Sequence, residues 1–157
     1  MNNNPDSNAA IAHELIDRLR AVSLATGLAG SGWPFASLVL TAPDHSGMPL
    51  LLISSLAEHT RNIAADNRVS LLYDGTNDYT ERLTGPRLTL LGRAIACTEP
   101  DAKEVFLAAH PSASTYADFQ DFSFYRIAPE RGHLVAGFGR IEWISWDQII
   151  KSTLPKG

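Results

Sequence analysis

From Phe35 onward the apolar residues of this chain fall into short runs broken by glycine, proline and small polar residues. The runs are Phe35 to Ala42, Pro49 to Ser54, Val69 to Tyr73, Arg87 to Cys97, Phe122 to Ile127, His133 to Ala136 and Arg140 to Ile144. Short branched or aliphatic runs bounded by turn residues read as strands. Pro43-Asp44-His45-Ser46-Gly47 reads as the turn of a β-hairpin joining the first two runs. Tight turns cannot join parallel strands, so the pairing must be mainly antiparallel.

Helical spacing marks the remaining segments. Ile11, Leu15, Leu19 and Val22 form one stripe and predict a first helix over residues 9–26, with residues 1–8 disordered. Asp6 and Ser7 are its candidate caps and Gly27 its stop. A second helix is expected over Leu56 to Asn67. A third opens at Thr98-Glu99-Pro100-Asp101, with a hydroxyl cap, an early proline and an acid near the positive helix end. Ser145-Trp-Asp-Gln148 has the form of a capping box. The expectation is one domain over residues 1–157, mainly β with peripheral helices (α+β), built as a barrel or half-open barrel.

Composition narrows the function. The formal net charge is −4, against the basic face expected of a nucleic-acid binder, so no nucleic-acid partner is expected. A single cysteine, Cys97, excludes a disulfide scaffold and any multi-cysteine zinc motif. Purely apolar runs such as Leu50 to Ile53 fall far short of the ~20 residues that a membrane helix needs. A soluble, cytoplasmic protein with no membrane partner is the expectation.

Most catalytic patterns fail on inspection. His13-Glu14 begins like a zinc-protease helix, but Asp17 stands where the second histidine should be, so no metal site is assigned. Gly30-Ser31-Gly32 lacks the spacing of a nucleophile elbow and reads as a loop. Trp33, Trp143 and Trp146 read as core or interface anchors, and Arg93 as solvated or salt-bridged surface. No catalytic residue can be named.

One segment stands apart. An apolar strand, Leu50 to Ile53, runs into Ser54 and Ser55 and then into a helix whose first turns carry His59, Thr60, Arg61 and Asn62. Free N–H groups and the positive dipole end of a helix, joined by hydroxyls and a guanidinium, suit a phosphate. The same residues also suit an ordinary polar cap with Arg61 in water, and the chemistry of the segment does not choose between them.

Those residues belong to a wider pattern: Pro34-Phe-Ala-Ser-Leu-Val-Leu, Gly47-Met-Pro49, Ser54 to Ile63, Asn67-Arg-Val-Ser-Leu-Leu, Arg87 to Arg93, His110-Pro111, Asp121-Phe-Ser-Phe and Gly137-Phe-Gly-Arg140. In this order and spacing the chain resembles the FMN-binding split-barrel family that includes pyridoxamine 5'-phosphate oxidase, and within it the branch of haem-utilisation and general FMN-binding proteins. The resemblance implies a six-stranded antiparallel split β-barrel that forms a homodimer, with FMN in clefts at the subunit interface and a small-molecule redox substrate. It implies that Ala36, Ser37, Leu38, Val39 and Thr41 line the flavin. Ser54, Ser55, His59, Thr60, Arg61 and Asn62 would hold the phosphate end, and Arg87 would place a cation near the ring. Where the oxidase has a phosphate-binding Arg-Lys pair, this chain has Glu58 and His59. The alternative implied by the branch is a non-catalytic flavin- or haem-binding module, with haem as a further partner.

Overall fold

Residues 5–152 are described in the computed structural model. The first helix, α1 (Pro5–Arg18), is shorter than its periodicity suggests. It buries Ala9, Ala12, Leu15 and Ile16, while Ile11 and Leu19 are only partly covered. The segment expected to continue it is instead a strand, β1 (Ala21–Gly27), with Val22, Leu24 and Thr26 turned inward and Ala21 and Ser23 outward. The stripe of four apolar residues therefore straddled two elements, and the period-two alternation after Arg20 decides the conformation. Of the segment expected to be disordered, residues 5–8 lie in α1, and residues 1–4 are outside the described residues.

The first barrel run also pairs differently from expectation. β2 (Pro34–Leu40) returns along β1, with Ser23 opposite Leu38 and Ala25 opposite Ala36. The expected hairpin shrinks to the two-residue β3 (Ala42–Pro43) against β4 (Pro49–Ser54). Its turn is held by Asp44, whose Oδ1 accepts from the Ser46 amide at 2.8 Å and the Met48 amide at 3.0 Å.

The helix α2 (Glu58–Ala65) leads to β5 (Arg68–Asp74) and β6 (Pro86–Cys97). Pro100 opens α3 (Pro100–Ala109), but Glu99 occupies the cap position without a side-chain bond. The two runs expected at 122–127 and 133–136 are one 15-residue strand, β7 (Phe122–Ala136), followed by β8 (Ile141–Ser145). The capping box at Ser145 and Gln148 is present and opens α4 (Trp146–Lys151).

All eight strands form one antiparallel sheet in the order β2-β1-β5-β6-β7-β4-β3, with β8 added to the second half of β7. The expected six-stranded count is thus corrected to eight, because β1 hid in a helical pattern and β3 is too short to read. The sheet curls into a half-barrel around Leu24, Leu71, Tyr73, Leu88, Leu90, Ile127 and Leu134, closed by α1 and α4. A second cluster packs Phe106 of α3 against Leu50, Leu52 and Cys97. This is a split-barrel fold, mainly β with four helices.

β6 and β7 are bent by a register shift at Leu91 and Gly92. Gly92 pairs with Pro129 and Leu91 with Arg131, leaving Glu130 as the extra residue of a bulge. A side chain at Gly92 has no room: its Cβ would lie 2.6 Å from the Ala128 carbonyl oxygen. No described helix is long and apolar enough to cross a membrane.

Candidate functional site

Cross-strand partners on an antiparallel sheet share a face. One such row crosses six strands on the convex side: Leu38, Ser23, Leu72, Thr89, His133 and Trp143. Leu38 is 78 % exposed and Trp143 54 % exposed, on a face where each ordinarily carries a burial gain of about 1.5–3 kcal/mol if covered. The next row is Ala36, Ala25, Ser70, Leu91, Arg131 and Ser145.

Beside these rows lies a groove of about 500 Å³. Its walls come from β1, β2, β5, β6 and β7, and three guanidinium groups line it: Arg68, Arg93 and Arg131. Arg68 is held by Asp66, its Nη2 donating to Oδ2 at 2.6 Å. Hydrogen bonds from Arg68 hold the Asp66 carboxyl down to about 2. Arg93 donates to Asn67 Oδ1 at 3.1 Å. The Arg131 guanidinium sits 4.8 Å from the centre of the Trp143 ring, a cation–π contact. Glu130, the bulged residue, supplies the one lining carboxylate. A groove with three cations and an apolar border suits a flat ligand bearing acidic arms.

The sequence-predicted site residues divide by strand parity and by helix face. Ala36 and Leu38 point outward, Ala36 in the row that floors the groove. Val39 and Thr41 are buried, and the Thr41 hydroxyl donates to the Leu50 carbonyl at 2.9 Å. Ser37 reaches α2, where its hydroxyl lies 3.1 Å from His59 Nδ1. His59 Nε2 is buried without a partner among the described residues, and burial pushes the His59 pKa down.

At the start of α2 the polar side chains serve the fold. Ser54 Oγ donates to Asp121 Oδ2 at 2.9 Å, and Thr60 Oγ1 donates to the Ser54 carbonyl at 2.5 Å. Ser55 is exposed, and its amide donates to the Asp121 carbonyl at 2.6 Å. Arg61 is paired with Glu58 in the first turn. Asn62 is fully buried: its Nδ2 donates to Thr26 Oγ1 at 3.0 Å and its Oδ1 accepts from the Ala29 amide at 2.9 Å. Asn62 thereby braces Thr26, a lining residue of the arginine groove. Arg87 faces outward but donates to the Leu83 carbonyl at 2.9 Å, tying down the 82–85 turn.

Sequence reasoning missed Arg68, Arg93, Arg131 and His133 as one group. Alternation within each strand puts Arg68 with Ser70 and Leu72, but the register that brings Arg93 opposite Arg68 is set by strand pairing.

A family model described as "CREG, beta-barrel" matches residues 3–151. The chain belongs to the CREG β-barrel family. It is 42 % identical over 109 residues to "Non-canonical heme oxygenase HOZ, chloroplastic" of Arabidopsis thaliana, covering 68 % of this chain and 33 % of the relative. The chain therefore spans about a third of that relative's length. The structure of a heme binding protein from Mycobacterium smegmatis superposes with a TM-score of 0.85 at 29 % identity, over 93 % of this chain and 61 % of that one. A Clostridium acetobutylicum protein related to general stress protein 26, of the pyridoxinephosphate oxidase family, shares the fold with a TM-score of 0.70 at 15 % identity, over 92 % and 98 % of the two chains. The split-barrel architecture expected from the sequence is thus borne out in this CREG-family chain.

Proposed function

We propose that this CREG-family protein is a haem-binding module of the haem-utilisation type, with haem held on the convex face of the half-barrel. The observation that carries the reading is the arginine groove bordered by exposed apolar residues. Haem presents a broad apolar plane and two carboxylates. Leu91 and the Leu72–Trp143 row supply apolar surface, and Arg93 and Arg131 supply cations for the acidic arms, with Arg68 beside them engaged by Asp66. The haem-related relatives of similar sequence support the same chemistry. Bound haem would bring iron redox chemistry, while the protein supplies binding, orientation and water exclusion.

The second reading is an FMN-dependent oxidoreductase acting on a small molecule. It is favoured by Arg93 and Arg131 in the same groove, which suit a phosphate. The start of α2 supports it less, since Glu58 and Asp121 place carboxylates there and Ser54, Thr60 and Asn62 are engaged internally.

A second copy of the chain is the proposed cover for Leu38 and Leu40 at the β2–β1 end of the face. Exposed apolar residues grouped on one sheet face are the mark of an interaction surface.

Titration of the purified chain with ferric haem and, separately, with FMN tests the two ligands. A saturable Soret band at one haem per chain, with FMN left free, is the expected outcome. Stoichiometric FMN retention without haem uptake would replace the first reading by the second.

A further inference from the structure

We infer that His133 is the haem-iron ligand of this chain, with Trp143 setting the plane of its imidazole and Arg131 meeting an acidic arm. The inference rests on the haem reading above and deepens it. Imidazole is a common axial ligand of haem iron, and it must offer a free nitrogen lone pair.

The other histidines are spoken for or misplaced. His13 Nδ1 contacts the Ser152 carbonyl, and its Nε2 lies 3.5 Å from Asp17. His59 is engaged with Ser37, and its second nitrogen is closed off inside the protein. His110 Nε2 bonds the Thr41 carbonyl at 2.8 Å, and its ring packs on Phe106. His45 sits at the far hairpin turn, beside Asp44, Glu99 and Asp101, where acidic arms would be repelled.

His133 differs on each count. Neither of its ring nitrogens has a hydrogen-bond partner among the described residues, yet neither is sealed in the core. Its ring centre lies 4.7 Å from that of Trp143, inclined by 59°, so one face of the imidazole is packed and its orientation is restricted. It stands in the exposed row opposite Thr89, two strands from Leu72, a distance of about 10 Å at normal strand spacing. Arg131 lies two residues along the same strand, about 7 Å away, and faces the same side. An iron ligand, an apolar floor and a cation thus lie within the span of one macrocycle.

The test uses the full chain and ferric haem, read by absorption and electron paramagnetic resonance. The wild type should show an imidazole-ligated spectrum. His133→Gly should lose that signature and bind haem at least tenfold more weakly, and free imidazole added to the variant should restore it. Arg131→Ala should weaken binding several-fold while leaving the ligand signature intact. A His133→Gly protein with wild-type spectrum and affinity would overturn the ligand assignment and leave the haem reading standing. So would loss of the signature in His45→Ala. A wild-type chain that takes up no haem would overturn both.

Discussion

The side-chain amide of Asn62 on α2 holds the hydroxyl of Thr26 on β1 at 3.0 Å, with Asn62 fully buried. Thr26 also borders the arginine groove, so α2 helps fix one edge of that groove from the inside of the sheet. Replacing Asn62 by Ala leaves the Thr26 hydroxyl and the Ala29 amide without their partner. A loss of about 1–3 kcal/mol is expected for such unsatisfied groups, measured as a shift in the urea midpoint. Unchanged stability would show that water replaces the amide without cost.

The buried imidazole of His59 gives stability a pH dependence. Burial lowers its pKa below the usual 6.5, so near and below that value the unfolded chain binds a proton that the folded chain refuses. Where the unfolded state holds more protons, stability rises with pH. The contribution present above 6.5 is therefore lost as pH falls through the lower folded value. The urea midpoint should drop between about pH 7 and 5, and His59→Asn should flatten that drop. An equal drop in the variant would assign the effect to another group.

Arg126 joins the hairpin turn to the start of α3. Its Nε donates to Asp44 Oδ2 at 2.6 Å and its Nη2 to Glu99 Oε2 at 3.0 Å. Burial alone would push the Asp44 pKa up, but hydrogen bonds from Ser46, Arg126 and the Met48 amide bring it below the usual value. Arg126→Met should cost about 1.5–3 kcal/mol, the range for hydrogen bonds to charged groups. Chemical unfolding near neutral pH measures it, and a loss well under 1 kcal/mol would mark the pairs as solvent-screened.

Gly92→Ala should destabilise the β6–β7 bulge, since its Cβ would meet the Ala128 carbonyl at 2.6 Å and Ile127 Cγ2 at 2.8 Å. Overpacking of this kind costs about 1–3 kcal/mol. Thermal unfolding should shift downward, and the proposed haem binding should weaken because Arg131 moves with the bulge. A fully stable variant would mean that the strand relaxes freely there.

Leu38→Glu should leave the fold intact and lower the solution mass from two copies to one. Light scattering checks this. A wild type that is already a single copy would remove the proposed dimer.

Strand and helix types were largely readable because α2, β5, β6 and α4 carry unambiguous local signals. β1 was not readable, because Leu15, Leu19 and Val22 match a helical period by chance while the strand's alternation covers only seven residues. β7 appeared as two strands because its alternation breaks at the bulge around Glu130. The helix start at Ser54 to Asn62 stood out through residue type, yet residue type cannot tell a ligand donor from an internal brace. The groove was invisible for a different reason: Arg68, Arg93 and Arg131 meet only through long-range register, which no local window contains.

The single extra residue at Glu130 decides which side of the molecule the end of β7 serves. Before it, odd-numbered Ile127 points to the interior; after it, odd-numbered Arg131 and His133 point to the surface while Leu134 is interior. Shortening the chain by one residue at this spot would exchange the two sets, sending a cation and an imidazole into the hydrocarbon centre and Leu134 into water. Insertions and deletions in this stretch are therefore far less tolerable than point changes, and the length of the strand is as much a part of the surface chemistry as the identity of its residues.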